Sequence, residues 1–107
     1  MRVLLAEDEE RLAHTIARGL RHEGFAVDVV FDGKSALDKT ALNNYDVIVL
    51  DRNLPVIHGD EVCRKLVEEQ CLARILMLTA AGSIDDRVVG LSLGADDFSK
   101  MHHFTIL

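Results

Sequence analysis

Several features are absent from this sequence, and each absence excludes a class of protein. No stretch of 18 apolar residues is present, so we expect no helix that crosses a membrane. The net charge is −6, and an acidic chain lacks the surface that neutralises phosphates in nucleic-acid-binding proteins. The sequence also has no internal repeat and no low-complexity segment. We therefore expect a single folded domain that binds neither nucleic acid nor membrane.

Cysteine and proline are scarce. The two cysteines, Cys63 and Cys71, lack the spacing of a metal site, so we expect reduced thiols in a cytoplasmic protein. The first apolar residues reach an acidic run at Glu7 too soon for a signal peptide, which agrees with that location. The one proline, Pro55, breaks the chain shortly after its most informative segment.

What is present is an alternation of short apolar segments with helical ones. The chain has 107 residues, of which 49% are hydrophobic, enough for one domain with a real core. The pattern predicts strands at 2–6, 26–31, 47–50 and 74–78, with a fifth beginning at Phe98. It predicts helices at about 10–22, 34–42, 59–69 and 83–93, the second with Ala36, Leu37, Thr40 and Ala41 facing inward. This order is typical of an α/β domain, a doubly wound five-stranded parallel sheet with helices on both faces.

The segment that ends at Asp51 carries the most information about function. Residues 47–50 are apolar without alternation, as expected of a strand that is covered on both faces. Parallel sheets bind ligands at the carboxyl ends of their strands, where Asp51 lies. The alternative is that Asp51 only begins a turn, a common role for aspartate.

Two other predicted strands also end in polar residues, namely Glu7 and Asp8 after the first and Thr79 after the fourth. Clustered carboxylates repel one another unless a cation lies among them, and their hard oxygens suit Mg²⁺. A carboxylate is also a competent nucleophile for phosphoryl transfer, and a metal, a hydroxyl and an ammonium group would neutralise the phosphoryl oxygens. Alternatively, the two acids only favour the start of the following helix, and Thr79 is an ordinary β-branched strand residue.

Four segments in this order resemble the receiver domain of bacterial two-component response regulators. They are VLLAEDE at 3–9, YDVIVLDRNLPVIHGDEV at 45–62, LMLTA at 76–80 and GLSLGADDF at 90–98. The resemblance is strongest to the subfamily whose full proteins carry a winged-helix DNA-binding domain. It implies a flavodoxin-like sheet with strand order 2-1-3-4-5, and a receiver domain over 1–107 that is incomplete after the fifth strand because the last helix is missing.

The resemblance also implies roles for individual residues around a Mg²⁺ ion. Asp51 would be the phosphoacceptor and a metal ligand. Asp8 would ligate Mg²⁺ directly and Glu7 through water. The backbone carbonyl of Asn53 would be the third protein ligand.

A switch is implied by the same resemblance, with Thr79 as its hydroxyl and Phe98 as the aromatic residue that changes rotamer with it. The family places a lysine three residues after that aromatic, but this position is Met101 here, and Lys100 stands one place early. A one-residue shift in a strand points a side chain to the opposite face. Lys100 therefore reaches the phosphoryl site only if a bulge corrects its direction.

Two functions follow from these observations. The first is a signalling switch, not an enzyme beyond its own phosphorylation and dephosphorylation. A sensor histidine kinase would phosphorylate Asp51, and the changed surface would control dimerisation and a DNA-binding output domain. The alternative is a receiver-like interaction module that no longer switches, favoured by the shifted Lys100. A phosphatase with an aspartyl nucleophile is disfavoured because Asn53 replaces the second acid, and a flavin site because no phosphate loop follows the first strand.

The last residues depart from the family pattern. The sequence leaves too few residues for a fifth helix after His102 and His103, which we expect to lie in solvent rather than to bind a metal. Without that helix, apolar strand surface would lose burial at roughly 25 cal/mol per Å². We therefore expect a truncated or altered form, with Phe104, Ile106 and Leu107 in its tail. A homodimer or a swapped assembly would cover the exposed face.

Overall fold

A computed structural model describes residues 1–79 and 103–106 of the chain, with Thr79 and 103–106 described by their backbone alone. The elements are β1 (Arg2–Ala6), α1 (Glu10–His22), β2 (Ala26–Val30), α2 (Gly33–Leu42), β3 (Val47–Asp51), α3 (Gly59–Glu68), β4 (Arg74–Thr79) and β5 (His103–Ile106). They form one sheet in the order β2-β1-β3-β4-β5. The predicted α/β class and strand order are therefore confirmed. None of the helices in this part of the chain is long and apolar enough to cross a membrane.

The four strands β1 to β4 are parallel to one another, as predicted. The structure adds a strand that the sequence does not predict, because residues 103–106, expected in the tail, form β5 and pair antiparallel to β4. An antiparallel edge strand on an otherwise parallel sheet is common, since such a pair needs no crossover helix between its strands. The strand predicted to begin at Phe98 and the helix predicted at 83–93 lie outside the described residues.

The core has two layers, one on each face of the sheet. Alternate residues of each central strand enter different layers, which explains why the apolar segments in the sequence show no alternation. On the α1 side lie Val3, Leu5, Val47, Val49, Leu76 and Leu78, packed with Ala13, Ile16, Ala17 and Leu20 of the helix. On the side of α2 and α3 lie Leu4, Ala6, Ile48, Leu50, Ile75 and Met77, packed with Ala36, Val62, Cys63 and Leu66.

Helix α1 has the predicted bounds, and its end is specified locally. Gly24 adopts a φ of 94°, a left-handed conformation that costs glycine little. The amide of Phe25 donates to the carbonyl of Leu20 at 3.1 Å, and the amide of Gly24 donates to that of Arg21 at 3.0 Å. These bonds satisfy carbonyl groups that the helix itself leaves free, so the chain turns sharply into β2.

Helix α2 corrects one prediction about side-chain direction. Ala36 is buried and Leu37 and Thr40 are half-buried, but Ala41 is exposed. Ala41 lies five residues after Ala36, about 140° around the helix, so it faces solvent. The helix also begins at Gly33 rather than at Lys34, because the carboxylate of Asp32 caps it by accepting from the Ser35 amide at 2.7 Å.

Candidate functional site

The acidic side chains predicted to meet at the carboxyl edge of the sheet do so. Strands β1 and β3 are adjacent and parallel, with Ala6 opposite Leu50, so the residues that follow each strand are neighbours. One carboxylate oxygen from each of Glu7, Asp8 and Asp51 lies within 4.8 Å of the others. We refer to these three residues as the acidic cluster.

Glu7 is the buried member of the acidic cluster, with only 2% of its surface exposed. Its amide donates to the carbonyl of Val30 at 3.1 Å, which holds the residue at the end of β1. Its carboxylate accepts a hydrogen bond from the Glu9 amide at 3.0 Å. Burial is the main reason that the pKa of Glu7 rises to about 8, and the nearby Asp51 raises this pKa further.

Asp51 lies half-buried at the end of β3, whereas Asp8 is exposed at the rim. The Asn53 amide donates to Oδ1 of Asp51 at 3.2 Å. Burial raises the pKa of Asp51, and the neighbouring charge of Asp8 acts in the same direction. A protonated Glu7 beside Asp51 acts in the opposite direction and lowers the pKa of Asp51. The metal-free acidic cluster therefore binds a proton more readily than isolated carboxylates do.

The chemistry of this donor set fits Mg²⁺. Carboxylate oxygens are hard ligands, and an ion bound through one or two carboxylates at an open rim keeps several waters. The exposed Asp8 and the half-buried Asp51 provide such a rim, and the buried Glu7 lies behind them. A divalent cation would also counter the burial and the repulsion that raise the pKa values of Glu7 and Asp51.

The loop after β3, residues 52–58, carries Asn53 and is fixed at its far end by Gly59. The Gly59 amide donates to the Arg52 carbonyl at 2.9 Å. A methyl group at Gly59 would lie 2.1 Å from the carbonyl oxygen of Asp51, so only glycine allows this approach. Arg52 also forms an ion pair with Asp60 through Nε at 3.0 Å. We call residues 52–58 the site loop.

The middle of the site loop rests on the start of α2. The carbonyl of Pro55 accepts two hydrogen bonds, from the amide of Gly33 at 3.1 Å and from that of Ile57 at 2.8 Å. The second bond closes a γ-turn around Val56, whose φ of 69° is unusual for a β-branched residue. A methyl group at Gly33 would lie 1.9 Å from the carbonyl oxygen of Ile57. Helix α2 and the site loop are therefore in very close contact.

The structure brings together part of the predicted site. Glu7, Asp8 and Asp51 form the acidic cluster, and Asn53 follows directly in the site loop. Thr79 is the last residue of β4, which lies next to β3 in the sheet. The backbone of Thr79 is therefore at the predicted edge. The side chain of Thr79, and Phe98 and Lys100 altogether, lie outside the described residues.

Sequence reasoning misses the glycine contacts. It predicts only that one helix begins just after Gly33 and another at Gly59, and it gives neither glycine a role toward the site. Their close approach to the site loop joins residues that are distant along the chain, and composition or periodicity carries no signal for it. The one available signal is that Gly59 stands at the first position of a predicted helix and Gly33 directly before another, where glycine has no advantage for helix formation.

Comparison with known families and curated proteins supports the same interpretation. Residues 3–101 match the model of the response regulator receiver domain. The transcriptional regulatory protein CutR of Streptomyces coelicolor is 59% identical over 98 residues, which are 92% of this chain and 45% of that protein. The response regulator ArlR of Staphylococcus haemolyticus is 43% identical over 96 residues, 90% of this chain and 43% of that protein. The chain thus spans less than half the length of these relatives.

Solved structures show the same fold. The receiver domain of Francisella response regulator 1452 superposes with a TM-score of 0.73 at 34% identity, covering 89% of this chain and 78% of that one. The response regulator TrrA of Thermotoga maritima, solved in complex with Mg²⁺ and beryllium fluoride, superposes with a TM-score of 0.71 at 33% identity. That match covers 76% of this chain and 70% of the Thermotoga chain.

Proposed function

Because the chain belongs to the response regulator receiver family, we propose that it accepts a phosphoryl group on Asp51 with Mg²⁺ as cofactor. The observation that carries this proposal is the acidic cluster, in which a half-buried carboxylate at the end of β3 lies beside two others. A relative of known structure takes up Mg²⁺ with beryllium fluoride, which supports the same chemistry here.

The residues have distinct tasks in this proposal. Asp51 attacks the phosphorus of the donor, the bond between phosphorus and the donor's nitrogen breaks, and an acyl phosphate forms on Asp51. Asp8, Asp51 and the backbone carbonyl of Asn53 would hold the metal directly, and Glu7 would hold it through water. When bound, Mg²⁺ neutralises the charge on the transferred phosphoryl oxygens. The hydroxyl of Thr79 and the ammonium group of Lys100 complete the proposed set.

Switching is the second part of the proposal. A sensor histidine kinase in the cytoplasm supplies the phosphoryl group. The phosphate on Asp51 favours a state in which Thr79 moves inward and Phe98 follows, so an existing equilibrium shifts. The altered surface promotes self-association and, in a longer protein of the kind that CutR represents, control of an output domain. Apart from its own phosphorylation and dephosphorylation, the domain has no enzymatic activity.

Mass spectrometry tests the phosphoacceptor directly. The protein is incubated with Mg²⁺ and a small-molecule phosphodonor such as phosphoramidate, and the mass of one added phosphoryl group is sought. We expect the adduct on the wild type and on Asp38→Asn, a matched change on the exposed face of α2. We expect none on Asp51→Asn, which removes the nucleophile and keeps the size. An adduct of equal yield on Asp51→Asn would refute the assignment.

A second candidate function is a receiver-like module that binds a partner without switching. The position of Lys100, one residue before the place where the family carries its lysine, favours it. The two functions differ in their response to Mg²⁺ with beryllium fluoride. A switch shifts the amide resonances of Thr79 and Phe98, whereas a silent module shifts only those of the acidic cluster and the site loop.

A further inference from the structure

Building on the proposed function, we propose that Gly33 is a positioning residue that sets the place of the site loop, and thereby of the Asn53 carbonyl, for Mg²⁺. Gly33 belongs to α2, which contributes no residue to the acidic cluster. It acts through backbone contacts with Pro55 and Ile57 rather than through a side chain.

The first support is the hydrogen bond between Gly33 and the site loop. The first amides of a helix have no partner within the helix. The Gly33 amide, at the first position of α2, finds its partner in the Pro55 carbonyl at 3.1 Å. Pro55 lies two residues after Asn53, so the start of α2 restrains the chain next to the proposed ligand.

The second support is the space at Gly33. A Cβ atom there would lie 1.9 Å from the oxygen, 2.8 Å from the carbon and 2.9 Å from the Cβ of Ile57. Two of these three atoms belong to the backbone, so no change of side-chain rotamer relieves the clash. Any side chain at this position must push the site loop away from α2 by about an ångström, the displacement at which geometry-dependent function falls steeply.

The third support is that other restraints keep the far end of the site loop from absorbing the displacement. Gly59 holds the far end of the site loop close against Asp51, with its amide donating to the Arg52 carbonyl. Val56 is already in a left-handed conformation, so the γ-turn has little freedom to absorb a displacement. The displacement therefore falls on the segment between Asn53 and Pro55.

The test compares three variants in two measurements. The first is the dissociation constant for Mg²⁺, obtained from the shifts of amide resonances during titration with the metal. The second is the rate of phosphorylation at saturating Mg²⁺. Gly33→Ala should raise the dissociation constant for Mg²⁺ by at least about tenfold. Gly19→Ala makes the same chemical change in α1, where nothing lies within 4 Å of the added methyl group, and should bind as the wild type does.

Asp32→Ala separates positioning from simple loss of stability. It removes the cap of α2, which bonds Ser35 at 2.7 Å, but adds no atom near the site loop. We expect a lower midpoint of thermal unfolding with an unchanged dissociation constant. If Gly33→Ala and Asp32→Ala weaken Mg²⁺ binding in proportion to their loss of stability, Gly33 has only a structural role and the proposal fails.

A measurement on the wild type does not depend on the folding of any variant. On titration with Mg²⁺, the Gly33 amide resonance should shift with the same midpoint as that of Asn53, while the Gly19 resonance stays in place. A fixed Gly33 resonance beside shifting resonances of Asp51 and Asn53 overturns the positioning role. No shift anywhere in the wild type would instead overturn the proposed Mg²⁺ site itself.

Discussion

Carboxylates at the two ends of the sheet have pKa values that are shifted in opposite directions. At the carboxyl edge, Glu7, Asp8 and Asp51 lie together, and the pKa values of Glu7 and Asp51 are both raised, mainly by burial. Toward the amino end, Asp28 and Asp46 are each matched with a donor, and the pKa of Asp28 is lowered.

The matched group consists of Arg2, Asp28, Tyr45 and Asp46, which we call the amino-end network. The Tyr45 hydroxyl donates to Oδ2 of Asp28 at 2.6 Å, and Nη2 of Arg2 donates to the same oxygen at 3.2 Å. The backbone amide of Arg2 donates to Oδ2 of Asp46 at 2.7 Å. The guanidinium of Arg2 also lies 5.4 Å from the centre of the Tyr45 ring. Each acid in the network therefore accepts at least one hydrogen bond, and those to Asp28 lower its pKa.

The difference separates acids that stabilise the fold from acids that are available for function. A carboxylate in the amino-end network stabilises the folded chain because its hydrogen bonds favour the ion. The acidic cluster instead destabilises the ionised, metal-free chain, and a divalent cation would relieve this cost. The comparison predicts opposite effects of substitutions at the two ends.

The largest expected effect is stabilisation by Mg²⁺ at the acidic cluster. A ligand that binds only the folded state, at one hundred times its dissociation constant, adds about 2.7 kcal/mol to the free energy of unfolding. We expect this gain in the wild type and its near-complete loss in Asp51→Asn, measured by thermal unfolding with and without Mg²⁺. A gain retained in Asp51→Asn would place the ion elsewhere.

The next effect is the pH dependence caused by Glu7. Its pKa is about 8 in the folded chain against an ordinary value of 4.5, so the folded state binds the proton more tightly. The resulting stability is fully present below about pH 4.5 and is lost as the pH rises through about 8. Without Mg²⁺, Glu7→Gln should therefore be more stable than the wild type at pH 8 by roughly 2 kcal/mol, after allowance for solvent screening.

The same comparison has an internal check at low pH. Near pH 4, the protonated glutamic acid and the glutamine are similar in charge and size, so urea unfolding should give nearly equal stabilities for the two proteins. A constant difference between pH 4 and pH 8 would show that Glu7 acts through packing and not through its charge.

A smaller effect of opposite sign is expected in the amino-end network. Tyr45→Phe removes the hydrogen bond to Asp28 and should lower the free energy of unfolding by about 1 kcal/mol at pH 7. Because the pKa of Asp28 is lowered in the folded chain, this stability is present above its model value of 3.8 and is lost as the pH falls. Urea unfolding of both proteins at pH 7 and below pH 3.8 measures the change, and stabilisation by the substitution would contradict the comparison.

The smallest effect is expected at Arg64, on the outer face of α3. Its guanidinium pairs with Glu61 and Glu68, three and four residues away along the helix. All three side chains are exposed, so water and salt screen the pairs strongly. Arg64→Gln should leave the midpoint of thermal unfolding unchanged within error, and a clear decrease would show that ion pairs matter even where solvent reaches them.

The parts of the fold that the sequence predicts are those that local pattern decides. Residues 47–50 are apolar without alternation, and they form a strand buried on both faces, with Asp51 at its end. The bounds of α1 follow from its apolar stripe and from Gly24. The acidic cluster is predictable for the same reason, since parallel neighbouring strands bring their carboxyl ends to one edge.

What escapes prediction depends on contacts between distant segments. Ala41 fits an inward helix position by composition, but the packing of α2 turns it to solvent. The direction of β5 depends on how the chain returns to β4, which no residue pattern in 103–106 specifies. The close contact of Gly33 with Ile57 is set by where two loops meet in space.

The pairing of β1 with β3 has a consequence for the dynamics of the protein. Asp8 and Asp51 follow strands between which α1, β2 and α2 intervene, so their meeting requires the whole sheet to assemble. A ligand that bridges them would therefore oppose global unfolding and leave local fraying unaffected. In hydrogen exchange, the slowest amides of β1 and β3, such as those of Leu5 and Val49, would be slowed by one common factor. That uniform protection would report the cooperativity of the whole domain.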